Sequence, residues 1–370
     1  MHTSKNSKMK VLIVGENSFE IYESAFSRAF KNQGHISHIF SWKEYFNKYD
    51  NESGVLNKIF RFCLRVQNKL LLGPVIDKVN RDLLSAAEKD DFDLVFIYRG
   101  THVYKSTIRT LKERGVLVYG YNNDDPFSNA KVGRLWKHYL ASINEYNHVF
   151  YYRMKNEAEY VDFGVKNISL LRSYYISDRN YLIDSDGKSK YKNDVVFIGH
   201  FENDGRDEII LELLKLGVDV KLYGTQWHRS PLFSEIVRLN GEIVPVYKEY
   251  NEVLNAAKIA LVFLSKRNND TYTRRVFEIP VTKTVMVSEY SDDLSMMFDE
   301  NSEILLFKNK SEAITKIQNL LNDSVTLNKI ADNAYNRVLK DGHEVNDRVK
   351  QIIDVYRKEK EMCLFHEGEN

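Results

Sequence analysis

Short continuous apolar runs alternate along the chain with stretches of helical period. This is the rhythm of strand–helix–strand units and parallel sheets. The first run, residues 10–14, stops at Gly15, and an amphipathic stretch over 19–31 ends at Gly34. Further strands are expected at 38–40, 93–98, 116–121, 148–152 and 167–171. These runs do not alternate strictly, as suits strands buried on both faces. The polar segment 176–192 has no apolar period and reads as a linker. A second series follows, with strands at 194–198, 218–223, 243–246, 259–264 and 284–287 and helices at 207–216 and 250–257. Two helices, 311–322 and 345–361, close the chain.

The expectation is an α/β protein of two doubly wound, Rossmann-like domains facing a cleft at the carboxyl ends of their strands. Domain one spans 9–175, the linker 176–192, domain two 193–343, a C-terminal helix packing back on domain one 344–361, and a tail 362–370. A length of 370 residues agrees with two domains. Lys and Arg number 53 against 52 Asp and Glu, a formal charge of +1, which argues against a nucleic-acid footprint. Two cysteines, Cys63 and Cys363, supply neither a disulfide framework nor a four-ligand zinc site. No apolar run reaches the roughly 18–20 residues of a membrane span, and no signal-peptide core precedes Val11. A cytoplasmic protein is expected, with peripheral contact at a membrane's inner face as a further option.

Walker A, GxGxxG, GxSxG, CxxC and HExxH motifs are all missing. A literal DxD, Asp184 to Asp186, lies in the linker and reads as chance. The most informative segment is 270–280, DTYTRRVFEIP. Pro280 suits only the first turn of a helix, which puts Glu278 at that helix's N-terminus with Arg274 and Arg275 just outside it. A carboxylate suits the hydroxyls of a ribose, and arginines suit a diphosphate. The plainer alternative is a helix cap with surface ion pairs. In the first domain, Asp124 and Asp125 before Pro126 follow a strand and offer a general base, or simply turn chemistry. His102 after another strand is a second candidate base, or a hydrogen-bonded loop residue. Asn17 and Ser18 follow the first strand and border the same region.

Residues 58–69 place Lys58, Arg61, Arg65 and Lys69 on one helical face beside Phe62 and Val66. Such a helix lies against anionic lipid or a lipid-linked acceptor, or covers a sheet with its cations snorkelling.

Arg275-x-Phe277-Glu278-Ile279-Pro280, followed by a strand and a helix, resembles the C-terminal domain of CgeB-like glycosyltransferases, which have the GT-B fold and are related to the group 1 family. Val196 to His200 with Arg206, the Tyr223-Gly224-x-x-Trp227 turn, the stretch 246–263 and His343 to Arg348 stand in the matching order. Asn123 to Phe127 carries a weaker likeness in the first half. The resemblance implies transfer of a sugar from a nucleoside-diphosphate sugar to a hydroxyl of a glycan, lipid-linked or protein acceptor, in surface polysaccharide synthesis, with no permanent cofactor and no metal. It assigns Glu278 to the donor ribose and Asp270 to the neighbourhood of the sugar. It assigns Arg274, Arg275 and the amides after Gly199 to the diphosphate, and counts His200 and Arg206 among the donor-binding residues. Tyr223, Gly224 and Trp227 fall near the base or its ribose. Relatives carry small residues and glycine after E-I-P, where this chain reads Val281, Thr282 and Lys283. A sugar-nucleotide epimerase and a non-catalytic nucleotide-sugar-binding protein are the competing expectations.

Overall fold

The computed structural model describes residues 8–128, 134–184 and 190–367, the side chains of the last five apart. Eleven strands are described: β1 Lys10–Gly15, β2 Ile36–Ser41, β3 Leu94–Tyr98, β4 Leu117–Asn122, β5 His148–Tyr151, β6 Ile168–Leu170, β7 Asn193–Ile198, β8 Val220–Tyr223, β9 Ala257–Val262, β10 Val285–Glu289 and β11 Leu305–Phe307. The helices of the first half are α1 Glu23–Asn32, α2 Lys43–Phe46, α3 Val55–Leu70, α4 Pro74–Lys89, α5 Lys105–Glu113, α6 Lys137–Ser142 and α7 Asn156–Asp162. Those of the second half are α8 Arg206–Lys215, α9 Phe233–Asn240, α10 Tyr250–Asn255, α11 Arg275–Glu278, α12 Asp292–Met297, α13 Lys310–Leu321, α14 Ser324–Lys340 and α15 Val345–Glu367.

The chain divides into two units, Met1–Arg172 with Val345–Asn370, and Ser173–Glu344. In the first, all-parallel pairing gives the order β2-β1-β3-β4-β5-β6. The central strands β3 and β4 are buried throughout, whereas the edge strands β2 and β6 are only partly covered. That gradient is why the central strands read as unbroken apolar runs. Leu12, Val14, Val95, Ile97 and Val118 join helix residues such as Ile76, Val79 and Leu83 in one core. Helix α15 closes this unit: Gln33 donates to the Asn346 carbonyl at 2.7 Å and Tyr119 to the Glu359 carboxylate at 2.5 Å.

The second unit has the parallel order β11-β10-β9-β7-β8. Its core gathers Val195, Phe197, Ile259, Leu261, Val285 and Val287 with Ile210, Leu213 and Ile317. The described part of the polar stretch after Ser173 belongs here. Asn251 and Asn255 on α10 accept from the Tyr181 and Ile183 amides and donate back to the Tyr181 carbonyl. In both sheets the first strand lies inside the order, so the connections on its two sides run in opposite directions. The resulting switch points, between β1 and β3 and between β7 and β9, are where doubly wound sheets hold ligands.

Several local expectations need correction. Pro280 does not open the helix: α11 precedes it, and Pro280–Thr282 forms a separate 3-10 turn. The proline lacks an N–H, so the α pattern breaks and the chain tightens through Thr282 N–H to the Ile279 carbonyl at 3.1 Å. Glu278 therefore ends a four-residue helix instead of starting a long one. Residues 243–246 form no strand; Pro245 has no donor for a ladder, and Gly224 N–H reaches the Val244 carbonyl as a single contact. A third closing helix, α14, lies between the two expected ones, capped by Asp323 accepting from Thr326 N–H. Asp186 of the literal DxD and the side chain of Cys363 lie outside the described residues.

Candidate functional site

In the second unit, β7 ends at Ile198 and the chain turns through Gly199 at the switch point. Gly224, just after β8, has φ +145° and comes so near that a Cβ there would sit 1.9 Å from the Gly199 carbonyl oxygen. Only glycine permits this approach. Gly199 in turn leaves room for Arg275: a Cβ at Gly199 would lie 3.1 Å from its Nη1. The Gly199 carbonyl accepts from Trp227 Nε1 at 3.0 Å, and Trp227 packs buried on Phe197 and Phe201. Tyr223 is likewise buried, and burial pushes its phenol up. These residues build the two glycine turns from behind.

Arg206 is 3% exposed and faces inward. It pairs with Asp204 at 2.5 Å, donates to the His200 carbonyl at 2.8 Å and lies over the Phe197 and Phe263 rings. Its charge thus holds the loop after β7 in shape. His200 is half-exposed and bonds Glu202 at 2.9 Å, whose other oxygen accepts from Ser265 at 3.0 Å.

Arg275 lies across the glycine turn, where its Nη1 donates to the Ile198 carbonyl while its buried Nε has no partner. Glu278, 3% exposed, sits one helical turn on. One carboxylate oxygen accepts from Arg274 at 2.6 Å, the other from the Tyr250 hydroxyl at 2.8 Å. Burial and the Glu278 charge push the Tyr250 phenol well up, so it remains a donor. Tyr250 was not legible beforehand, because nothing local ties α10 to α11. Asp270 accepts from the Asn268 amide at 2.8 Å in the loop before α11. Lys283 takes the left-handed conformation, φ +56°, where relatives were expected to carry glycine, and pairs with Asp332 at 2.7 Å over the Tyr335 ring. Its cation therefore serves α14 and not the glycine turns.

The first unit holds a cavity of about 410 Å³ at the carboxyl ends of β1, β2 and β3. Glu16, Trp42, Lys43, Arg99, Thr101 and His102 line it from the strand ends, and Arg65, Asn68 and Lys69 from α3. His102 is buried and stacks on Trp42 at 5.0 Å. Its Nε2 donates to Asn68 at 2.8 Å and its Nδ1 accepts from Thr101 at 2.9 Å. Burial, with His138 and Arg99 nearby, pulls it down to about 3, so the ring is neutral. Both nitrogens are engaged, which suits a wall residue better than a proton shuttle.

Asp124 is partly exposed and pairs with Arg99 at 2.7 Å. Asp125, 1% exposed, accepts from Lys155 at 2.6 Å, Asn156 at 3.0 Å and the Phe127 amide at 3.1 Å. It forms the turn and fastens α7. Asn17 is in the left-handed region and accepts from Ser24. Behind it, Glu23 is buried over Gly15, and burial pushes its carboxyl up.

Residues 206–354 match a family model described as glycosyl transferase-like. No curated protein matches the sequence of the chain. Among solved structures, the chain is similar to Anabaena Alr3699/HepE in complex with UDP and glucose, at 12% identity over 95% of this chain and 100% of that one, TM-score 0.64. It is similar to a glycosyltransferase from Rickettsia africae at 13% identity over 95% and 98%, TM-score 0.68. It is also similar to sucrose-phosphate synthase from Thermosynechococcus elongatus at 13% over 95% and 99%, TM-score 0.66. The fold is that of the GT-B glycosyltransferases: two parallel-sheet α/β units.

Proposed function

We propose that this chain is a glycosyltransferase that moves a sugar from a nucleoside-diphosphate sugar to an acceptor hydroxyl. The observation that carries the reading is Arg275 laid over the Gly199 turn with an unpartnered buried Nε, one helical turn from a carboxylate held by Arg274 and Tyr250. A guanidinium with a spare donor at a sheet's switch point suits a diphosphate. A carboxylate fixed by one cation and one hydroxyl suits the two hydroxyls of a ribose. The family match over 206–354 and the UDP bound by the Anabaena structure favour the same donor class.

In this reading Arg275 stabilises the departing diphosphate, so a metal is not required. Arg274 and Tyr250 orient Glu278, and Arg206 and Trp227 shape the turns. Asp270 stands near the sugar, as its kinship position implies. Asp124 is preferred to Asp125 and His102 as an acceptor-side base, because it is partly exposed whereas the other two are buried. The CgeB-like kinship, a role in surface polysaccharide synthesis and a cytoplasmic location extend the same proposal.

A thermal-shift series with nucleoside diphosphates and their sugars tests it. At least one is expected to raise Tm, by the stabilisation a native-state ligand provides. Glu278→Gln and Arg275→Gln are each expected to weaken that ligand about tenfold or more, the loss of one charge-assisted bond. Unchanged affinity in both variants would sink the site. Conversion of the sugar nucleotide with no acceptor present would identify an epimerase instead.

A further inference from the structure

The cavity of the first unit has an electrostatic character that the donor reading does not use. Four cations line it, Lys43, Arg65, Lys69 and Arg99, against the single carboxylate Glu16. Arg99 is partly matched by Asp124, yet its buried Nε lacks a partner and its backbone sits at φ +65°. Among the described residues no carboxylate pairs with Lys43, Arg65 or Lys69. Arg65 and Lys69 stand one helical turn apart on α3, a like-charge spacing that destabilises a helix unless something compensates. Other cations of this unit do meet carboxylates: Lys105 and Arg109 share Glu145, and Arg114 meets Glu88. The cavity's size falls in the ordinary range for small-molecule sites, and neutral His102 with Trp42 gives it a flat apolar wall.

We infer that this cavity binds a phosphoryl group carried by the acceptor, with Lys43, Arg65 and Lys69 around its oxygens and Arg99 donating from the β3 end. Several unpaired cations at one switch point match a dianion better than a neutral sugar hydroxyl. The word acceptor rests on the transferase reading; the anion site does not. Two sources supply this chemistry, a soluble sugar phosphate and a lipid-borne phosphate. The outward side of α3 exposes Leu56, Ile59, Phe60 and Phe62, which a lipid surface would cover.

Inorganic pyrophosphate titrated by calorimetry into Arg275→Gln, where the donor-side arginine is gone, is expected to bind at one site. Adding Arg65→Gln and Lys69→Gln should weaken it about tenfold or more. Lys58→Gln, on the same helix but outside the cavity, should leave it unchanged. Equal weakening by Lys58→Gln, or none by the Arg65/Lys69 pair, overturns the inference. Circular dichroism of the variants separates loss of the site from loss of the helix.

Co-sedimentation with phosphatidylcholine vesicles, with and without phosphatidic acid, then assigns the source. Loss of phosphatidic-acid-dependent binding in both the Arg65/Lys69 variant and Phe62→Ser supports the lipid. No vesicle binding, with pyrophosphate retained, supports the soluble form. Pyrophosphate binding in this pattern without any sugar transfer would keep the anion site and remove the transferase reading. Nucleotide binding without pyrophosphate binding would do the reverse.

Discussion

At the residue scale, the tightest constraint is the pair of glycines at the ends of β7 and β8. Gly224→Ala places a methyl group 1.9 Å from the Gly199 carbonyl oxygen at a φ that L residues rarely adopt. A destabilisation of about 1–3 kcal/mol is expected from backbone strain and overpacking, with weakened nucleotide binding as the turn shifts. Urea unfolding beside calorimetry reads both. The second residue-scale consequence concerns acid. His102 is held at about 3 by burial, against 6.5 when exposed in the unfolded chain. Between those values the unfolded state binds a proton that the folded state refuses. The stability this ring contributes is therefore whole above about pH 6.5 and is lost as pH falls toward 3, at up to about 1.4 kcal/mol per unit. His148, pulled down to about 4 by burial, steepens the same limb. His102→Gln should flatten the slope of unfolding free energy against pH between 6 and 4 compared with the parent; an unchanged slope would show that the ring titrates normally. The sequence marked His102 as a residue to watch but not its state, because the partners that bury it, Trp42 and Asn68, come from segments with no local link to it.

At the element scale, the buried strands were legible and the edges less so. The runs that became β1, β3, β4, β7 and β9 are continuous because both faces are covered, whereas β11, three residues long, was missed. Its pattern is too short to separate from a loop. The stretch 243–246 has strand-like residues, but Pro245 withholds a ladder donor. Helix α14 was missed because its apolar positions are interrupted by polar ones, although Leu327, Ile330, Ala331, Ala334 and Val338 all turn inward. Helix α15 carries a prediction of its own. Ile352 is fully buried on it, within the first unit although it is far along the chain. Ile352→Ala is expected to cost about 2–5 kcal/mol, the usual price of a cavity in a packed core. Urea denaturation should show the loss as a lower midpoint with the slope retained.

At the scale of the whole molecule, the chain leaves the first unit after Arg172 and returns at Val345. The two candidate sites are built from separate cores, one from β7–β9 with α11 and the other from β1–β3 with α3. On the proposed transferase reading, Glu278→Gln should alter donor affinity, and Arg65→Gln with Lys69→Gln should raise the acceptor KM, both read from steady-state kinetics. Among the described residues no helix is long and apolar enough to cross a membrane.

The alternation of buried strands with helices, the glycine turns and the R-x-F-E-I-P segment were set by the sequence alone, since periodicity, turn chemistry and backbone freedom act over a few residues. What the residues of those segments meet was decided only by tertiary structure. Tyr250 on Glu278, Arg275 across Gly199, Lys283 on Asp332, and Arg65 and Lys69 beside Arg99 all join positions far apart in the chain. Such pairs follow from the order of strands in a sheet. That order is fixed by which faces bury best together, an outcome that no short stretch of sequence encodes.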